Sequence, residues 1–195
     1  MDLHTTTLGT PVGPFTLLVD GDGVCAAGFT ADAERLRRRL DRRRRAARIR
    51  AGGDPGGVAA AMRAYLAGEL EALREVAVTQ PGDAARQDAW RALRSLPAGR
   101  TISYRRLGEL AGARLTGEPR RGAPDPSADP ATDPFGAQAA GAACAGNNVA
   151  VIVPCHRVLR ADGRLSGYLW GTPRKRWLLA HEAAPPTLLD QGWEA

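Results

Sequence analysis

"NNVAVIVPCHRVL" runs from Asn147 to Leu159 and places a thiol, Cys155, between a proline and two basic side chains. The apolar run Val149–Val153 reads as a buried strand. A free cysteine at the end of such a run is usually only a small buried hydrophobe. The company is what makes it informative. A thiol with an ordinary pKa of about 8.5 needs a base or positive surroundings to supply its reactive thiolate. His156 and Arg157 follow directly, but successive strand side chains face opposite ways. Contact between Cys155 and His156 therefore calls for a turn at Pro154–Cys155 or a bridging water. A histidine base wants an orienting acid, and "WLLAHE" supplies Glu182 as the candidate.

Upstream of this stretch the chain has two textures. Residues 12–29 read as two strands joined at Asp20-Gly21-Asp22-Gly23, a turn-rich hairpin connection. The N-terminal residues alternate as a strand does. "DAERLRRRLDRRRRAARI" carries Leu36, Leu40 and Ala47 at helical spacing among ten arginines between positions 35 and 50, and reads as a solvated amphipathic helix. A further helix fits "GGVAAAMRAYLAGEL", and a third strand fits "REVAVTQ" at 74–80. The first 80 residues thus form a small α+β domain without obvious chemistry.

After Gly82, "DAARQDAWRALRSLPAG" is a helix stopped by Pro97 and Gly99, and "TISYRRLGELAG" is a helix expected to start near Ser103 and end at Gly112. Residues 113–134 are rich in proline and small polar residues and are expected to form a surface loop of unusual length. "FGAQAAGAACAG" then makes a helix almost wholly of alanine and glycine. Two successive helices, the second with a nearly bare face, have the form of a helix-turn-helix stretched by an insertion, or of two helices packed closely inside the protein.

Bulk properties bound the function class. The chain has 195 residues, 44% hydrophobic and 25% charged, enough for one large or two small domains. No run of eighteen apolar residues is present, so no membrane span is expected, and the N-terminus lacks the pattern of a signal peptide, so a cytoplasmic location is expected. Three widely spaced cysteines without a CxxC or HxxxH pairing predict neither a disulfide framework nor a metal site. A net charge of +6 suits a polyanionic partner.

"ISY" at 102–104, "GNN" at 146–148, "PCHRV" at 154–158, "GRLSGY" at 163–168 and "RKRWLLAHE" at 174–182 together resemble the O6-alkylguanine-DNA alkyltransferases, the methylated-DNA-protein-cysteine methyltransferases, over about residues 82–183. The resemblance implies an α+β protein with a small ribonuclease-H-like N-terminal domain at 1–80. A winged-helix-like, helix-turn-helix alkyltransferase domain would follow at 81–184, and a tail at 185–195. It implies a cytoplasmic monomer acting on double-stranded DNA that contains O6-alkylguanine, with no cofactor and no metal, since the substrate brings its own electrophile. Cys155 would accept the alkyl group once and irreversibly, with His156 taking the thiol proton through water and Glu182 holding the imidazole. Tyr104 would protonate the leaving base, and Asn147 would brace the thiol. The recognition helix, with Ala137, Gln138, Ala139 and Gly141, would enter the minor groove while the lesion is flipped out. Arg157 and the backbone around Val158 would face the substrate. The loop with Tyr168, Leu169 and Trp170 would wall the pocket.

The chain departs from the family pattern at several positions. Gln138 stands where the family usually has an arginine, Asn148 and Ala150 where it has prolines, Trp170 where it has a glycine, and Ala85-Arg86 replaces an aromatic-glutamine pair. Two rival readings follow from these features: a lesion sensor that binds without transferring, which such proteins do without the acceptor cysteine, and a winged-helix regulator with an incidental thiol.

Overall fold

The computed structural model describes residues 2–116, 136–165 and 167–182. The tail and nearly all of the Pro-rich insertion lie outside them. The chain forms two compact units, Met1–Pro81 with Asn148–Pro154, and Gly82–Asn147 with Cys155–Ala195. The chain thus leaves the second unit after Asn147 and re-enters it at the thiol. The sequence pattern places 81–184 in one domain, whereas residues 148–154 of that stretch belong to the first unit.

The first unit is built on a four-stranded sheet, β1 (Asp2–Leu8), β2 (Phe15–Val19), β3 (Val24–Gly28) and β4 (Arg48–Ala51), in the order β3-β2-β1-β4. β1–β2 and β2–β3 are antiparallel, and β1–β4 is parallel. The turn at 20–23 joins β2 to β3 as expected: Asp20 accepts the amides of Asp22 and Gly23 on its own carboxylate. Strands β2 and β3 are buried along their whole length. Phe15 meets Phe29 edge-on at 4.9 Å, a pairing worth roughly 1 kcal/mol beyond its buried area.

Two expectations fail in this unit. The arginine-rich segment is two short helices, α1 (Ala33–Arg37) and α2 (Arg42–Arg45), followed by β4. Asp41 caps α2 by accepting the Arg44 amide, and an extended N-cap residue interrupts any longer helix. Residues 74–80 contribute one bridge, Val78 to Val24, with Val24 N donating to Ala77 O at 2.9 Å. Backbone approach is tight there: a Cβ on Gly23 would lie 2.6 Å from the Ala77 carbonyl oxygen. Helix α3 (Val58–Leu66) forms inside the expected stretch and buries Val58, Ala59, Met62 and Tyr65.

The second unit is mainly helical. Helix α4 (Ala84–Arg94) starts at the Asp83 cap and sends the Trp90 indole N–H to the Ala143 carbonyl at 2.9 Å. That anchors α4 on α6 (Ala137–Ala145). Gly82 is needed beside the ring, since a Cβ there would come within 2.7 Å of it. Helix α5 (Tyr104–Thr116) runs past Gly112, where the sequence predicts its end. Glycine costs only about 1 kcal/mol inside a helix, less than the packing of Leu107 and Ala111 holds. A two-residue parallel pair, β5 (Ile102–Ser103) with β6 (Val158–Leu159), and helix α7 (Thr172–His181) complete the unit. Among the described residues no helix is long and apolar enough to cross a membrane.

Candidate active site

The run before the thiol is a chain of turns rather than the expected strand. Val151 holds φ at 70°, a strained conformation for a β-branched residue, and Val153 N reaches back to Val149 O at 3.0 Å. Asn148 and Ala150 both use their amides here. Asn148 N donates to Gln80 Oε1 at 2.9 Å and Ala150 N to Ala27 O at 3.0 Å, bonds a proline would lack. Residues Cys155–Arg157 form one turn of 3-10 helix, so the chain does turn at the position where contact with His156 required it.

Cys155 is 8% exposed and receives a hydrogen bond from Asn147 Nδ2 at 3.2 Å. Asn147 is itself buried, directly after the last turn of α6. Burial pushes the Cys155 thiol up, while the Asn147 amide and the Lys175 ammonium pull it down. The net direction is upward, so the resting group is a thiol that needs a base.

His156, the next residue, is the candidate. The ring is fully buried, and its Nε2 lies 2.9 Å from Glu182 Oε1. Burial lowers its pKa against the opposing pull of Glu182, so the imidazole is neutral. In Glu182, burial favours the protonated acid, but His156 and Arg157 outweigh it and hold the carboxyl below the usual range. An ionised acceptor at Nε2 places the ring proton there and leaves Nδ1 with a lone pair. That atom is buried and has no partner, and among the described residues no hydrogen bond joins it to Cys155.

Arg157 is a correction. Expected to face the substrate, its guanidinium is turned inward: Nε and Nη2 both reach Glu182 at 2.8 Å, and Nη1 reaches the Leu96 carbonyl at 2.5 Å. One carboxylate thus holds both residues that follow the thiol.

The β5–β6 pairing, Ile102 opposite Val158 and Ser103 opposite Leu159, brings the start of α5 to the segment that follows the thiol. Tyr104, the first residue of α5, has a ring carbon 4.0 Å from where a Gly141 Cβ would be. The tyrosine and Gly141 of α6 are thus adjacent. On α6, Ala137 and Gln138 are exposed, and Ala139 and Gly141 are half-buried. The small residues of α6 leave a cavity of about 170 Å³ against α4 and α5, lined by Arg86, Ala89, Gly108, Ala111, Ala139 and Ala140. In the remaining loop Tyr168 is half-buried, Leu169 is 43% exposed and Trp170 is buried, its carbonyl accepting from Arg174.

Sequence reasoning misses Lys175. This lysine is 1% exposed on α7, and its Nζ donates to the Val158 carbonyl at 2.7 Å. Burial brings its pKa down to about 8, against the opposing pull of Cys155 and Cys144. Residues 175, 178, 179 and 182 are the buried stripe of this helix end, so the signal is a lysine at an apolar-stripe position. Among the described residues no group of three or more His, Cys, Asp or Glu could hold a metal.

A family model described as 6-O-methylguanine DNA methyltransferase, DNA binding domain, matches residues 84–184. The chain belongs to this family. The methylated-DNA-protein-cysteine methyltransferase of Mycobacterium tuberculosis strain H37Rv is 34% identical over 183 residues, 92% of each chain. The protein of the same name from Shigella flexneri is 31% identical, over 90% of this chain and 92% of its own. Among solved structures, M. tuberculosis O6-methylguanine methyltransferase aligns with a TM-score of 0.65 at 31% identity, covering 96% of this chain and 99% of that one. M. tuberculosis OGT in complex with DNA aligns with a TM-score of 0.63 at 31% identity, covering 95% and 97%. The mixed α+β architecture is the one these relatives share.

Proposed function

We propose that this protein repairs DNA by direct reversal: Cys155 takes the methyl group from O6-methylguanine in duplex DNA, once per molecule. The observation that carries the reading is a hydrogen-bonded thiol followed directly in the chain by a buried, neutral imidazole. Sγ accepts a hydrogen bond from Asn147, and the neutral His156 keeps a buried, unpartnered Nδ1 behind a Glu182–Arg157 support. A water between Sγ and Nδ1 would carry the proton to the ring. The thiolate then attacks the methyl carbon, the S–C bond forms as the C–O6 bond breaks, and the electron pair passes to the purine. Tyr104 delivers a proton to guanine N3, so the base leaves neutral. The product thioether is not reversed by cellular thiols, and the substrate's own electrophilic carbon removes any need for a cofactor or metal.

In this reading α5 and α6 act as a winged-helix-like helix-turn-helix whose second helix enters the minor groove. Its exposed Ala137 and Gln138 and its half-buried Ala139 and Gly141 suit close approach, with Gln138 facing the place the flipped nucleotide leaves. The Val158 backbone and the Tyr168–Leu169–Trp170 loop form the pocket wall. The first unit is assigned to the family's ribonuclease-H-like domain on its order of strands and helices. Its monomeric state and cytoplasmic location extend the same reading and rest on sequence alone.

The test is peptide mass spectrometry after incubation with a duplex carrying one O6-methylguanine, beside Cys155→Ala. One methyl gained per chain on the Cys155 peptide, with guanine restored, is the expected result. Lesion binding with an unmodified Cys155 would make the protein a sensor instead.

A further inference from the structure

The arginines of the first unit are engaged in two different ways. Arg44 is held inside: its Nε and Nη2 both lie 2.8 Å from Asp20 Oδ2, its Nη1 lies 2.7 Å from Asp41, and its side chain is 17% exposed. Arg37 pairs with Glu34, Arg38 with Asp32 and Arg50 with Asp2. The carboxylates of the 31–50 segment, Asp32, Glu34 and Asp41, are therefore all committed. Arg42, Arg43 and Arg45 remain exposed, and their side chains make no hydrogen bond or ion pair with any described residue.

Helical geometry explains the division. At about 100° per residue, a helix that turns Arg44 inward spreads residues 42, 43 and 45 over the opposite side. The Asp41 cap and the buried Asp20–Arg44 pair fix that orientation, so three guanidinium groups are presented on a rigid turn rather than a floppy tail. Like charges so close repel one another, and nothing in the segment neutralises them. Their geometric match is a polyanion with closely spaced charges, since a planar guanidinium fork binds phosphate oxygens.

We propose that the outer face of α2 contacts the phosphate backbone of duplex DNA and adds affinity that does not depend on the lesion. The proposal rests on DNA being the substrate but not on methyl transfer. It also differs from recognition by α6, because α2 belongs to the unit that lacks the thiol.

The experiment compares the full chain with an Arg42→Gln, Arg43→Gln, Arg45→Gln triple variant, measuring affinity for undamaged and O6-methylguanine duplexes across a salt series. Every phosphate that an arginine neutralises adds about 0.9 to the slope of log K against log salt, so the variant's slope should be shallower by about 2 to 3. Affinity should weaken by the same factor for both duplexes, and the transfer rate at saturating DNA should not change. The exposed pair Arg63→Gln, Arg74→Gln in the same unit controls for net charge. An unchanged slope, or an equal loss per charge in the control, would overturn the proposal and leave α2 as a solvated face. A fallen slope in a protein that transfers no methyl group would uphold this proposal and sink the repair reading instead.

Discussion

The hairpin around Cys25 and the turn around Cys155 each bury a thiol and treat it in opposite ways. Cys25, on β3, is fully buried and donates its proton to the Leu18 carbonyl at 3.3 Å. Burial and the nearby Asp20 push its pKa up to about 12. Cys155 accepts a hydrogen bond instead, from Asn147, and has the Lys175 cation in its field. Burial raises both thiols, and the Asp20 charge raises Cys25 further. The direction of the hydrogen bond separates them: an acceptor carbonyl locks the proton on, while a donor amide steadies the thiolate that follows its loss.

The contrast breaks most severely at Glu182. In Glu182→Gln the acceptor at His156 Nε2 is no longer an anion and Arg157 loses its counter-charge. Single-turnover transfer should fall by roughly 10²- to 10⁴-fold, the usual contribution of a general base. Urea unfolding at pH 7 should show a loss of about 3 kcal/mol from the stranded guanidinium. An unchanged rate would reduce the cluster to a structural ion pair. Acid should act on the same groups. His156 titrates below its ordinary value of 6.5 in the fold, so the unfolded chain gains a proton first and stability falls as pH drops through 6.5. Glu182 titrates below its ordinary value of 4.5 in the fold, so the stability it contributes is present above pH 4.5 and lost on further acidification. Urea midpoints at pH 7, 5.5 and 4 should fall in that order, and the variant should lose less between the last two.

Asn147→Ala should bring Cys155 closer to the condition of Cys25. A hydrogen bond to a charged group is worth about 1.5–3 kcal/mol, so the transfer rate should drop about 10- to 100-fold, with guanine recognition unchanged. Equal loss of lesion affinity and rate would show that the amide positions DNA rather than the thiolate.

Cys155, His156 and Glu182 stand out in sequence because their types imply proton chemistry, and Asn147 because it falls in a motif of the resemblance. Asp41 is not legible as a helix breaker, because its capping role depends on where the preceding chain already lies. Strand β4 cannot be read either, since "RIRA" has one strongly apolar residue and takes its conformation from pairing with β1. The run 149–153 reads as a strand because burial is evident in the pattern and backbone direction is not. The family resemblance places Arg157 on the substrate side. Nothing in a linear pattern shows that one buried carboxylate 25 residues onward takes both basic side chains.

Lys175→Met sharpens the contrast by removing the cation and keeping the volume. One charge in the site's field should be worth about tenfold in rate near pH 7. Because the lysine titrates at about 8, the wild-type advantage should shrink as pH rises beyond that value. A ratio that stays constant from about pH 6.5 to 9 would assign Lys175 to holding the Val158 carbonyl alone.

The smallest effect belongs to Cys25→Ala. If buried thiols were interchangeable acceptors, removing one would lower the methyl count per chain or shift labelling toward the other. The hydrogen-bond argument forbids this, because the Cys25 proton is tied to Leu18 and the nearby Asp20 carboxylate is held by Arg44. Stoichiometry and rate should match wild type, and unfolding should cost only about 1 kcal/mol for a missing sulfur contact and weak hydrogen bond. A methyl group found on the Cys25 peptide of the wild-type protein would show that burial and not the neighbouring donor decides which thiol reacts.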